Sequence, residues 1–202
     1  KGDISFDPFY FNTNIVLEKF DIVKFLKNNS TFNEFIKSGL LFNDNISGTL
    51  SLKSNNLAKN KLFTSLDALI NVKNGEINFD KSKIANSKIG EIVLNYSKLE
   101  QENNEVIFKG SFKYIINNQE GFNRFFQRYK KNRILINNIY FDIEYNFFKN
   151  RFLISNFYIN EAKEFHNNET LEIIKNINDN LSNRSQNWID FKSLVNQLLI
   201  SY

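Results

Sequence analysis

Strict alternation of apolar and polar residues over two long stretches is the feature that most constrains this chain. In the first stretch the apolar side chains occupy even positions, namely Val106, Phe108, Phe112, Tyr114 and Ile116. In the second stretch they occupy odd positions, namely Ile139, Phe141, Ile143, Tyr145 and Phe147. Successive side chains of a β-strand point to opposite faces, so both stretches are predicted to be strands with one apolar and one polar face.

A second pattern, a Gly followed by alternating residues, recurs through the middle of the chain. It occupies residues 48–52, 75–79, 90–96 and 110–114. A Gly near the start of a strand suits a tight entry turn or a bulge. A third long apolar stretch follows at 151–160, so these segments together predict a sheet of many strands.

Apolar residues at helical spacing predict helices near 17–38 and 119–130, and the segment 161–202 carries two more stripes of this kind. The stripe within 119–130 lies between two predicted strands. The predicted fold is therefore mainly β with flanking helices (α+β): a curved, largely antiparallel sheet with an amphipathic crossover helix and C-terminal helices. Because alternation ends near 160, we predict a β-rich segment over 1–160 and a helical segment over 161–202.

The residue counts exclude several kinds of site. The chain has no Cys, which excludes disulfides and thiolate metal sites, and its one His, His166, is interpreted as a surface loop residue. It has no Gly-rich nucleotide-binding motif and no nucleophile-elbow motif. Asp142 and Glu144 share the polar face of a predicted strand, where carboxylates are usually solvated. We therefore predict a non-catalytic chain with no cofactor and no metal.

The absence of Met predicts that another segment precedes Lys1. The sequence contains no Met, so Lys1 is not expected to be a natural start. A preceding part would then supply any signal peptide or membrane anchor.

The strongest charged feature is a basic cluster formed by Arg124, Arg128, Lys130, Lys131 and Arg133. One hypothesis is that these side chains contact anionic lipid headgroups or another acidic partner. Interleaved aromatic residues also suit single-stranded nucleic acid, and the simplest interpretation is the polar face of a helix. The net charge is only +4 and acids alternate with bases elsewhere, so no nucleic-acid partner is expected.

The aromatic content leaves one question open. The chain has 22 Phe residues among 202, and many of them lie on the alternating faces. The same alternation is expected whether helices of the chain cover the apolar face or whether that face binds acyl chains. The small number of predicted helices favours a face that is partly uncovered.

The order of segments from 39 to 160 resembles that of a known family. The motif NGEINF at 74–79 begins one strand, and another Gly-led strand, the helix near 119–130 and a long hairpin follow it. This order is similar to the C-terminal region of AsmA-like proteins of Gram-negative bacteria. The similarity covers half to two-thirds of the chain and does not extend to the C-terminal helices.

The resemblance implies a periplasmic protein that is anchored to the inner membrane by a segment absent from this chain. Such proteins form elongated, curved sheets with a hydrophobic groove, and they take part in phospholipid transport and outer-membrane maintenance. The resemblance supplies no catalytic residues. It implies phospholipid acyl chains and other envelope proteins as partners, and we expect the following residues to face lipid: Phe108, Phe112, Tyr114, Ile139, Phe141, Ile143 and Tyr145.

Two alternatives remain open from the sequence. The first is a structural or protein-binding β-domain of the cell envelope that binds no lipid and pairs along a sheet edge. The second is a hydrolase, which would need two convergent carboxylates of perturbed pKa in a cleft.

Overall fold

Ten strands form one sheet in the computed structural model, which describes residues 1–6, 9–27, 29–60, 62–128, 130, 133–160, 172, 174–176, 178, 195, 196 and 199. In chain order the strands are β1 (Gly2–Phe6), β2 (Phe9–Leu17), β3 (Ile46–Ser54), β4 (Ser65–Lys73), β5 (Glu76–Asn78), β6 (Lys83–Asn86), β7 (Gly90–Glu102), β8 (Glu105–Ile116), β9 (Asn138–Asn146) and β10 (Arg151–Ile159). Short helices flank them: α1 (Ile22–Phe25), α2 (Thr31–Lys37), a 3-10 helix (Leu40–Phe42) and α3 (Gln119–Phe125). The predicted fold class, mainly β with flanking helices, is confirmed.

The strands follow the order β1-β2-β3-β4-β5-β7-β8-β9-β10, and the short strand β6 pairs with both β4 and β7. Among the described strands, every pairing is antiparallel except that of β2 with β3. The sheet is therefore largely antiparallel, as predicted.

Two hairpin turns follow directly from their residues. Asn74 and Gly75 join β4 to β5 with φ angles of 51° and 74°. Asn103 and Asn104 join β7 to β8 with φ angles of 49° and 64°. A two-residue hairpin loop of this type needs positive φ at both positions, which Gly and Asn adopt at least cost.

The register brings the apolar side chains of neighbouring strands onto one face of the sheet. One row crosses four strands through Ile92, Tyr114, Ile139 and Ile159. The adjacent row on the opposite face passes through Lys113, Tyr140 and Tyr158. The two-faced sheet predicted from the alternation is thus confirmed, and we call its two sides the apolar face and the polar face.

The chain crosses the apolar face between β2 and β3. Because these two strands are parallel, residues 18–45 must return along the length of the sheet. Helices α1 and α2 lie within this return, capped by the side chains of Asp21 and Ser30. Phe25 of α1 stacks on Phe32 of α2, with ring centroids 4.2 Å apart. The helical region predicted near 17–38 is therefore two short helices, and Leu17 belongs to β2.

Helix α3 is not a crossover, and the prediction of a crossover helix is corrected here. The strands that α3 connects, β8 and β9, pair directly and antiparallel. Residues 117–137 therefore leave and re-enter the sheet at the same end. The stripe of Phe residues predicts a helix, but it carries no information about which strands that helix joins.

Two separate cores bury the ends of the apolar face. The first core lies under α3 and α1, and its fully buried members include Leu62, Tyr114, Phe122, Phe126, Ile136 and Ile139. The second core lies under α2, and its buried members are Ile36, Val72, Ile77, Leu99 and Val106. The connections between strands therefore cover the face at both ends of the sheet.

The described part of the C-terminal segment packs on the first core. Ile174, Val195 and Leu199 are buried there. β10 ends at Ile159, next to the predicted boundary, and the described residues of the predicted helical segment 161–202 are helical, namely 172, 174–176, 178, 195, 196 and 199. His166 and the remainder of the predicted C-terminal stripes lie outside the described residues.

Candidate functional site

Between the two cores, the apolar face carries a band of half-buried side chains, which we call the central band. Its members are Leu50, Leu52, Ile70, Phe79, Phe108, Phe112, Ile143 and Tyr145. Most of them touch the margin of one core or the other without being enclosed by it. The central band is therefore a part of the apolar face that the described helices cover only in part.

Four Phe rings connect the two cores across the central band. Phe79 meets Phe108 edge-on with ring centroids 5.6 Å apart, and Phe108 contacts Phe112 at 6.3 Å. Phe112 stacks on Phe141 at 5.2 Å with only 2° between the ring planes. Aromatic rings have few rotatable bonds, so this row is a preformed apolar surface.

The dimensions of the central band follow from strand geometry. Its residues run from β3 to β9, which spans about 24 Å at roughly 4.8 Å per strand spacing. Along β8, Phe108 and Phe112 stand about 14 Å apart at roughly 3.4 Å per residue. The hydrocarbon of one bilayer leaflet is about 15 Å deep, so the band is long enough for an acyl chain.

The structure separates the residues expected to face lipid into two groups. Phe108, Phe112, Ile143 and Tyr145 are half-buried and lie in the central band. The expectation is corrected for the other three, because Tyr114, Ile139 and Phe141 are only 0%, 1% and 6% exposed. Chain segments that return to this end of the sheet, including α3, enclose them in the first core.

The prediction from sequence does not include four members of the central band, Leu50, Leu52, Ile70 and Phe79. A signal for Ile70 is present, because β4 alternates apolar residues at 66, 68, 70 and 72. The place of Phe79 depends on the pairing of β5 with β7 at Ile77 and Leu99, which local sequence does not specify.

A buried hydroxyl lies next to the central band, at the edge of the first core. The Tyr114 side chain is 0% exposed, and its Oη has no hydrogen-bond partner among the described residues. Its ring packs edge-on against Phe63 at 6.4 Å and Phe122 at 6.0 Å. Burial raises the pKa of Tyr114 well above its ordinary value.

Replacing Tyr114 by Phe is expected to raise the free energy of unfolding by about 1 kcal/mol at neutral pH, because a buried hydroxyl without a partner is removed. Above about pH 10 the unfolded wild type loses the phenol proton that the folded chain keeps, so wild-type stability falls as the pH rises. The Phe variant should lack that part of the alkaline loss. Urea denaturation at several pH values measures both effects.

Tyr145 provides the matched control for this substitution. Its hydroxyl donates to Asn150 Oδ1 at 2.6 Å, so Tyr145→Phe removes a hydrogen bond that is made. This variant should be less stable by about 1 kcal/mol. A loss of stability in both variants would contradict the assignment of Tyr114 as an unsatisfied hydroxyl.

The basic cluster lies on and after α3, on the segment that covers the first core. Arg124 is exposed and forms an ion pair with Glu120 at 3.1 Å. Arg133 is exposed and its Nε donates to the backbone carbonyl of Arg128 at 3.3 Å. Burial, with a smaller effect of Arg133, lowers the pKa of Arg128. Lys130 is exposed, and Lys131 lies outside the described residues.

Charges on the polar face compensate one another. Lys109 pairs with Glu100 at 2.7 Å and with Glu102 at 3.2 Å, and Lys98 also pairs with Glu100. Hydrogen bonds from Lys109 and Lys98 hold the pKa of Glu100 below its ordinary value. The carboxylate pair Glu100 and Glu102 is thus bound to lysine.

The second carboxylate pair, Asp142 and Glu144, borders a shallow depression of about 210 Å³ on the polar face. Asp142 accepts a hydrogen bond from Asn156 Nδ2 at 2.6 Å. The depression also contains Tyr96 and Ser155, which lie where β7 and β10 shift register. No group of three or more potential ligands for a metal ion occurs among the described residues.

No family model, curated protein or solved structure matches this chain. The AsmA-like resemblance therefore stays a prediction from sequence. In the described part of the chain, no helix is long and apolar enough to cross a membrane.

Proposed function

We propose that this chain holds phospholipid acyl chains on its central band, as a passive and non-catalytic periplasmic segment of an AsmA-like protein of the cell envelope. The observation that carries the proposal is the half-buried state of the central band between two separately closed cores. In this role the protein would contribute to phospholipid transport and outer-membrane maintenance. The AsmA-like order of strands supports the location and the process.

The chemistry of the central band suits a hydrocarbon. None of its members is charged, and its one polar atom, the Tyr145 hydroxyl, already donates to Asn150. An acyl chain on this surface would leave no band hydroxyl without a partner. The ion pairs of Lys98 and Lys109 with Glu100 and Glu102 lie on the opposite face of the sheet.

The energetics fit reversible binding. Burying one methylene contributes about 0.8 kcal/mol, so roughly ten methylenes contribute about 8 kcal/mol before the cost of association. The headgroup would remain in water at the margin of the sheet. A favourable burial energy reduced by the cost of association fits a surface that binds and releases lipid without a catalysed reaction.

A charge introduced into the central band is expected to weaken binding of an acyl chain at least tenfold. Ile70→Lys and Ile143→Lys place an ammonium at two separate points of the band, and each displaces about two methylene contacts, or about 1.6 kcal/mol. The measurement is titration of the purified chain with a fluorescent phospholipid that carries its dye on an acyl chain. Mass spectrometry of lipid extracted from the same preparations gives a second reading.

Leu69→Lys is the matched control for these variants. Leu69 precedes Ile70 on β4 and is also half-buried, but it points to the polar face. This variant should bind lipid as the wild type does, with the same circular dichroism spectrum. Equal loss in Leu69→Lys and Ile70→Lys, or a wild type that binds no lipid, would refute the proposal.

The second candidate function is a structural or protein-binding β-domain of the envelope that binds no lipid. The observation that favours it is the edge of the sheet at β1, where Ile4 is 60% exposed and Phe6 is 82% exposed. A purified chain that carries no phospholipid but binds another protein through β1 would favour this candidate over the first.

A further inference from the structure

One edge of the sheet is exposed, as Ile4 and Phe6 of β1 are 60% and 82% exposed. β1 lies at the end of the strand order and pairs with β2 alone among the described strands. Exposed edge strands usually carry Lys, Pro or a bulge that prevents pairing with another chain. β1 has a regular register over its five residues from Gly2 to Phe6, with no Lys or Pro among them and Asp3 as its one charged side chain.

The hydrogen bonds of β1 show which of its backbone groups face outward. The Lys1 amino group donates to Asn14 O at 3.1 Å, and Asn14 N donates to Lys1 O at 2.9 Å. In an antiparallel pair, such bonded residues alternate with residues whose N–H and C=O point away from the partner. The backbone groups of Gly2, Ile4 and Phe6 therefore point to the open side.

The opposite edge of the sheet, β10, is bonded at one point by a side chain of the C-terminal segment. At the register shift in β10, Ile154 N donates to Asn178 Oδ1 at 2.8 Å, and Asn178 Nδ2 donates to Ile154 O at 3.0 Å. The side-chain amide of Asn178 thus occupies the place of a neighbouring strand. The two edges therefore differ at this point: Asn178 bonds the backbone of Ile154 in β10, whereas β1 has no further strand beside it among the described residues.

We propose that two copies of this chain pair through β1, antiparallel and centred on Ile4, so that one sheet continues into the other. In this register Ile4 lies opposite Ile4 of the second copy, and Gly2 lies opposite Phe6. Each of these pairs uses the outward-facing backbone groups and exchanges two hydrogen bonds. The inference does not depend on lipid binding.

The side chains fit this register. Ile4 and Phe6 lie on the apolar face and would cover each other's exposed surface, with Phe6 lying over the Gly2 position of the second copy.

The absence of Cys from the sequence allows a direct test of this register. Ile4→Cys is expected to form a disulfide-linked dimer under mild oxidation, because bonded antiparallel residues have Cα atoms about 5.5 Å apart, within disulfide range. Phe6→Cys is the matched control at the same exposed edge. Its two copies would lie about 14 Å apart and should not link.

Analytical ultracentrifugation of the wild-type chain provides the second measurement. A concentration-dependent monomer–dimer equilibrium is expected, and Ile4→Pro should shift it to the monomer, because it removes an outward N–H but no bond to β2. Val16→Lys, at a residue that is 73% exposed on β2, should still dimerise. A monomeric wild type, or equal linking of the two Cys variants, would overturn the proposal whether or not lipid binds.

Discussion

Replacing Phe122 by Ala is expected to lower the free energy of unfolding by about 3–5 kcal/mol. The side chain is 0% exposed, and its ring packs against Phe126 at 4.5 Å and edge-on against Tyr114 at 6.0 Å. Truncation would leave a cavity between α3 and the sheet that the neighbouring rings cannot fill. Guanidinium denaturation followed by circular dichroism measures the loss.

Phe125 on the same helix provides the control for this prediction. It is half-buried and contacts Phe126 at 5.1 Å, so its replacement by Ala should cost about 1 kcal/mol. The difference between the two variants measures how firmly α3 closes the first core. Equal losses would mean that α3 does not cover Tyr114 as described, and the open part of the apolar face would then extend beyond the central band.

The long strands could be predicted from the sequence because one local property defines them. β8 and β9 alternate over 12 and 9 residues, and a period of two over that length has no helical counterpart. β10 could be predicted from its apolar run and its hairpin turn. These strands hold the half of the central band formed by Phe108, Phe112, Ile143 and Tyr145.

The N-terminal part of the sheet could not be predicted in the same way. β2 alternates from Phe9 to Thr13, but it then continues through Ile15, Val16 and Leu17, whose spacing also suits the start of a helix. Its partner β3 is parallel and 37 residues away at each paired position, as for Phe9 and Ile46. A pairing of this kind depends on where the returning segment packs, which is a property of the whole chain.

Which part of the apolar face is covered could not be predicted from the sequence either, because it also depends on the path of the whole chain. Tyr114 and Phe112 occupy equivalent positions in the alternation of β8, yet the first is fully buried and the second is half-buried. The difference arises because segments that return over the sheet, α3 among them, end above Tyr114. Alternation predicts the face, and only the path of the connections determines its uncovered part.

Replacing Gly48 by Ala is expected to destabilise the chain by about 2–3 kcal/mol. Gly48 is the third residue of β3 and not its entry, unlike Gly90, which begins β7. Its parallel partner is Phe11, whose ring lies over it, and a Cβ at Gly48 would meet the Phe11 backbone oxygen and come within 2.6 Å of the ring. The absence of a side chain therefore allows β2 and β3 to pair with the Phe11 ring between the sheet and the second core.

Gly48→Ala should reduce protection from hydrogen exchange in the N-terminal strands before it reduces protection in the rest of the sheet. Hydrogen exchange is expected to quicken first at the amides of β1 and β2, which join the other described strands through β3, while β8 and β9 keep their protection. Ser47→Ala is the control, because Ser47 points to the polar face and its truncation should change stability by less than about 0.5 kcal/mol. Uniform loss of protection across the sheet would contradict this account. It would mean that Gly48 supports the fold as a whole and not specifically the docking of β1 and β2. The edge of these docked strands, at β1, is the one proposed to join two copies.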